Sequence, residues 1–203
     1  MTVQATPSRP LTGQGTVSSI LRYLDTFRNS IERLLDERVR VLDRSGATVT
    51  VTNSVAITNL YTFSVLGGTL ETTKRLRLTL IGDYLNNDGA ARDLTLRVLL
   101  GGTVVLTTGA VSVTNDAARR IVRVQCEIAA NDATNAQAAA GTVSLGAVDT
   151  VGGNAPTYTD RLGGHTALTK DTQTDLTLAV DVLHGTASAN IVFRKFAAVV
   201  ELL

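Results

Sequence analysis

The residues able to do chemistry are few. Two histidines, His165 and His184, stand next to glycines, and no cysteine or second histidine lies at metal-ligand spacing from either. Zinc needs four such ligands at close spacing, so no metal is expected there. The acidic turn Gly82-Asp83-Tyr84-Leu85-Asn86-Asn87-Asp88-Gly89 offers Asp83, Asn86 and Asp88 as oxygen ligands. It lacks the twelfth-position Glu of a calcium loop, and a hairpin turn explains it better. Serine catalysis needs a nucleophile on a strained turn beside a base. No Gly-x-Ser-x-Gly occurs, and Ser144 and Ser188 fall on a strand and in a turn. Glutamate is scarce, at five residues, and most aspartates sit in turn signals, so a carboxylate pair for glycoside hydrolysis fits poorly. The single cysteine, Cys126, alternates with Val122, Val124 and Ile128 and reads as a buried strand residue. The expectation is a chain with no catalytic residue and no cofactor.

The binding chemistry is equally sparse. There is no Trp, and only eight other aromatics. Tyr84, Asn86 and Tyr158 fall in loop-like sequence and are the residues expected to meet a partner, such as a surface glycan. Basic residues number 16 Arg against 3 Lys. Arg75, Arg77, Arg92 and Arg97 come from neighbouring expected strands, where they would form a solvated or ion-paired strip on one sheet face. A formal net charge of +1 excludes a strong overall attraction to nucleic acid or anionic membranes. The apolar runs fall far short of the roughly 20 residues that span a bilayer. Met1 to Gln14 lacks a charged-then-apolar leader pattern, so synthesis in the cytoplasm is expected.

Two rhythms organise the 203 residues. Residues 1–15 are polar, with Pro7 and Pro10, and read as an extended anchoring arm. From 16 to 42 the apolar residues step by three and four. Val17, Leu24 and Ile31 take one heptad position, and Ile20, Phe27 and Leu34 take the other. Leu21 and Leu35 widen the stripe, and Arg38 interrupts it. The spacing predicts an amphipathic helix that packs against copies of itself or against its own domain. The step regularity favours copies.

From Ala47 the period becomes two. Strands are expected at 48–52, 61–66, 74–81, 93–100, 103–107, 120–128, 137–147, 174–183 and 190–202. Leu76, Leu78 and Leu80 alternate with Arg75, Arg77 and Thr79. Thr is abundant, at 30 residues, and suits a pleated surface. Gly67-Gly68, Gly101-Gly102, Asn115-Asp116 and Gly163-Gly164 mark turns. The stretch 133–140 is the one helical rival. The fold expected over 47–203 is an antiparallel β-sandwich of jelly-roll type.

The block from Tyr61 to Thr107, YTFSVLGGTLETTKRLRLTLIGDYLNNDGAARDLTLRVLLGGTVVLTT, resembles a pattern in small virion proteins of tailed bacteriophages. Leu176 to Leu183 and the strand ending at Leu202 look like the closing strands of the same domain. The resemblance implies a jelly-roll subunit for capsid decoration or a head fibre, often a homotrimer, that contacts itself and the capsid. Its alternative is a tail-fibre subunit that recognises a host glycan or protein. The place it implies is the virion.

Overall fold

A computed structural model describes residues 13–36, 39–148 and 158–203, with side chains described over 20–31, 39–146 and 163–203. Most of the expected arm, residues 1–12, lies outside the described residues. The chain divides into two compact units, Met1–Arg38 and Val39–Leu203.

The first unit holds one helix, α1 (Gly13–Asp36). It starts before the expected Thr16 and ends before the expected 42. Residues 40–45 form a strand instead. The last strand of the chain offers that segment a continuous ladder, and pairing outweighs a weak helical preference there.

Among the described residues the second unit holds twelve strands. They are β1 (Arg40–Ser45), β2 (Val49–Thr52), β3 (Thr58–Val65), β4 (Arg75–Asn86), β5 (Arg92–Leu100), β6 (Thr103–Thr107), β7 (Val111–Val113), β8 (Asp116–Ala133), β9 (Ala136–Val148), β10 (Tyr158–Leu168), β11 (Leu176–His184) and β12 (Ile191–Leu202). All pairings are antiparallel. One sheet runs β1-β12-β4-β8-β9-β10, with β2 also on β12. The other runs β3-β11-β5-β6, with β7 on β5. The chain repeatedly crosses between the sheets, and its first strands pair with its last. That is jelly-roll order, with the β9–β10 hairpin widening the first sheet.

Alternation selects the core. Leu76, Leu78 and Leu80 point inward from β4, as do Val122, Val124, Cys126 and Ile128 from β8. Leu94, Leu96, Val98 and Leu100 from β5 and Leu178, Val180 and Val182 from β11 meet them from the facing sheet. One bulge resets this rhythm. The register of β12 against β4 shifts between Lys195 and Ala197. Phe193 and Lys195 are therefore buried before the bulge, Ala198 and Val200 after it, and Phe196 is left on the outside.

The turns follow their chemistry in part. Gly101 and Gly102 both have positive φ, 53° and 76°, as a two-residue hairpin turn requires. Residues 133–140 form no helix; they lie across the β8–β9 hairpin, with Ala133 opposite Ala136. Gly163-Gly164 is not a turn either. Both lie inside β10, opposite Thr142 and Gly141. Gly141 is the tightest of these, since a Cβ on it would come 2.5 Å from the Gln125 carbonyl oxygen.

Candidate functional site

The expected self-association residues lie on α1. Its 24 residues span about 36 Å at 1.5 Å per residue. Ile20, Leu24, Phe27 and Ile31 are 40–54% exposed, and Leu21 beside them is 56% exposed. Val17 and Leu34 continue the same spacing within the helix, with side chains outside the described residues. On the polar side, Thr26 and Ser30 donate to the carbonyls of Arg22 and Thr26, at 2.8 and 2.9 Å. Those hydroxyls turn back onto their own helix, as exposed polar positions allow. Among the described residues the arrangement is an exposed apolar stripe at heptad spacing.

The expected partner-binding loop residues behave differently. Tyr84 is fully buried and Asn86 is 3% exposed, so neither can meet a partner. The acidic segment was expected to be a turn from Gly82, but β4 continues to Asn86 and carries Tyr84 into the core. Asn86 ties loops together instead. Its Nδ2 donates to the carbonyls of Ala90 and Val113 at 2.9 and 2.8 Å, and its Oδ1 accepts from the Asp88 N–H. Tyr158 begins β10, and its side chain lies outside the described residues.

The three expected oxygen ligands of that segment go to separate partners. Asp83 accepts from Arg119 at 2.8 Å and from Arg194 through both its oxygens. Asp88 accepts from Arg92 and Ser188, both at 2.6 Å, which holds its carboxyl below the usual carboxylate range. Among the described residues no group of three or more His, Cys, Asp or Glu could hold a metal ion.

Sequence spacing also misplaced the arginine strip. Arg75 and Arg77 lie on β4, and Arg92 and Arg97 on β5, in different sheets. Each finds its own carboxylate: Glu127 for the first two, Asp88 for Arg92 and Asp181 for Arg97. The crossing of the chain between β4 and β5 separates residues that lie close in sequence.

Three buried polar groups had no sequence signal. His184 is 1% exposed, and its ring lies 5.8 Å from that of Tyr84. Among the described residues neither ring nitrogen has a hydrogen-bond partner, nor does the Tyr84 hydroxyl. Burial pushes the His184 pKa down and that of Tyr84 up to about 12. Lys195 is 2% exposed and donates to Ser45 Oγ at 2.9 Å. Its ammonium sits 5.8 Å from the Tyr61 ring centroid, and Tyr61 donates to Asp43 at 2.5 Å. Burial lowers the Lys195 pKa, and the Asp43 charge opposes that shift. Cys126 is 1% exposed, and burial pushes its thiol up to about 12, which leaves it a packing residue.

The sandwich is thus an all-β antiparallel fold of jelly-roll type, preceded by a helix with an exposed apolar stripe. No family model matches the chain, and no curated protein matches it in sequence. Solved structures similar to it include peanut lectin with a bound 9-residue peptide, at TM-score 0.39 and 7% identity over 82% of this chain and 90% of that one. The CBM2 module of the evolved Dit protein of Lactobacillus casei BL23 phage J-1 is similar at TM-score 0.33 and 6% identity, over 69% and 67%. The infectious bursal disease virus Gx strain structure is similar at TM-score 0.35 and 13% identity, over 83% and 42%.

Proposed function

We propose that this chain is a non-enzymatic structural subunit that self-associates through α1 and displays its jelly-roll sandwich. The observation that carries the reading is the α1 stripe: Ile20, Leu24, Phe27 and Ile31 at heptad spacing, each 40% exposed or more. Most of the stability of an amphipathic helix comes from packing of its apolar face, so helix formation and association support each other. Covering the exposed half of each of these side chains contributes about 1 kcal/mol apiece. The resemblance of the Tyr61–Thr107 block to tailed-phage virion proteins supports a setting on the phage particle, as a capsid decoration or head-fibre subunit. A homotrimer is the assembly that resemblance favours.

The test is multi-angle light scattering of the full chain against the full chain carrying Leu24→Asp and Phe27→Asp. The expected mass is that of three chains of 21.4 kDa for the unaltered protein and of one chain for the variant. A single-chain mass for the unaltered protein at tens of micromolar defeats the proposal.

A further inference from the structure

The outer face of the β1-β12-β4-β8-β9-β10 sheet carries an apolar cluster at its centre. Ile81 on β4 is 42% exposed, and Ile121 on β8 and Phe196 on β12 are 38% exposed. Register brings them together. Ile81 stands opposite Arg123 on one side and Ala197 on the other, and Ile121 stands opposite Asp83 on the neighbouring rung. The bulge between Lys195 and Ala197 puts Phe196 on this face. Arg194 lies 5.2 Å from the Phe196 ring centroid and is held by Asp83, which also holds Arg119. Arg123 is exposed and has no ion pair or hydrogen bond among the described residues. An aromatic, two isoleucines and a free arginine, flanked by fixed charges, match the composition of an interface centre.

Size decides what can cover it. Three side chains about two-fifths exposed offer on the order of 250 Å² of apolar surface. A freely diffusing partner needs about 800 Å² on each side. A tethered partner needs far less, because linkage replaces a second collision with an effective concentration in the millimolar range. Only residues 37–39 separate α1 from β1, so association through α1 supplies such a tether.

We propose that this face, centred on Ile81, Ile121 and Phe196, packs against the sandwich of a sister chain in the α1-mediated assembly. The inference rests on self-association through α1 and names the second contact it brings about. Arg123 meets a carboxylate or carbonyl of the sister sandwich, and the Asp83 pairs frame the contact.

Photocrosslinking of the full chain with p-benzoylphenylalanine in place of Phe196 tests it. At sub-micromolar protein, irradiation is expected to give chain-to-chain products on a denaturing gel. Adding Leu24→Asp and Phe27→Asp is expected to abolish them, and Ile81→Asp with Arg123→Glu to reduce their yield at least fivefold while the scattering mass stays unchanged. A chain with oligomeric mass and no chain-to-chain product overturns this contact and leaves α1 association standing. Products that persist in the helix variant also overturn it, since they would not depend on the tether. A single-chain mass for the unaltered protein overturns both.

Discussion

His184 gives the sandwich a measurable sensitivity to mild acid. It closes β11, is 1% exposed, and has neither nitrogen satisfied. Burial disfavours its charged form, so its folded pKa lies below the ordinary value of 6.5. Unfolding restores the ordinary value. The unfolded chain therefore binds the proton more readily, and its share of the equilibrium grows as pH falls below 6.5. The contribution of this residue is fully present above that pH and is lost below it. Each pH unit through which the ring stays neutral in the folded state removes about 1.4 kcal/mol. Against a typical stability of about 5–15 kcal/mol, one unit is easily resolved. Asp88, with its carboxyl held low, acts in a separate window, below the ordinary carboxylate value of 3.8.

Urea titrations at about pH 7.5, 6.5 and 5.5, followed by far-ultraviolet circular dichroism at one fixed protein concentration, measure this directly. The unaltered protein is expected to lose stability between the last two, by no more than about 1 kcal/mol. His184→Leu removes the proton site and both unsatisfied nitrogens while keeping similar volume. Its stability is expected to be flat over that range and equal or higher at pH 7.5. A drop of the same size in both proteins would show that other groups carry the acid response and would refute the reasoning.

Two further outcomes follow from buried groups. Asn86→Ala removes donors to the Ala90 and Val113 carbonyls and the acceptor for the Asp88 N–H, and is expected to cost about 2 kcal/mol in urea unfolding. Little or no loss would mean water replaces all three bonds. Cys126 is expected to resist an aromatic disulfide reagent in the folded protein and to react at a rate set by unfolding, rising in step with added urea.

The sandwich was legible wherever alternation was strict. Leu76, Leu78 and Leu80 share the buried face that their alternation implied, because one wet and one dry side leaves that imprint on a strand. What was hidden depends on distant partners. Residues 40–42 were read as the end of the helix, yet 40–45 became β1 by pairing with β12. The glycines at 163 and 164 looked like punctuation but lie within a strand. The candidate site split the same way. The heptad stripe of α1 was readable from spacing alone, and Ile20, Leu24, Phe27 and Ile31 are exposed on it. Tyr84 was misplaced because its surrounding Asp and Asn residues signal a loop, whereas two arginines distant in sequence, Arg119 and Arg194, tie Asp83 down. The outer-face cluster gave no sequence signal, since a bulge, unreadable from composition, brings Phe196 to the surface.

The position of β12 has a consequence for how the protein is made. It is inserted between β4 and the edge strands β1 and β2. Until residues 191–202 leave the ribosome, β4 and β1 have no common neighbour and one side of the core stays open. Helix α1 emerges some 150 residues earlier. On the proposed association through α1, nascent chains translated side by side would have time to meet through their helices while every sandwich still waits for its final strand.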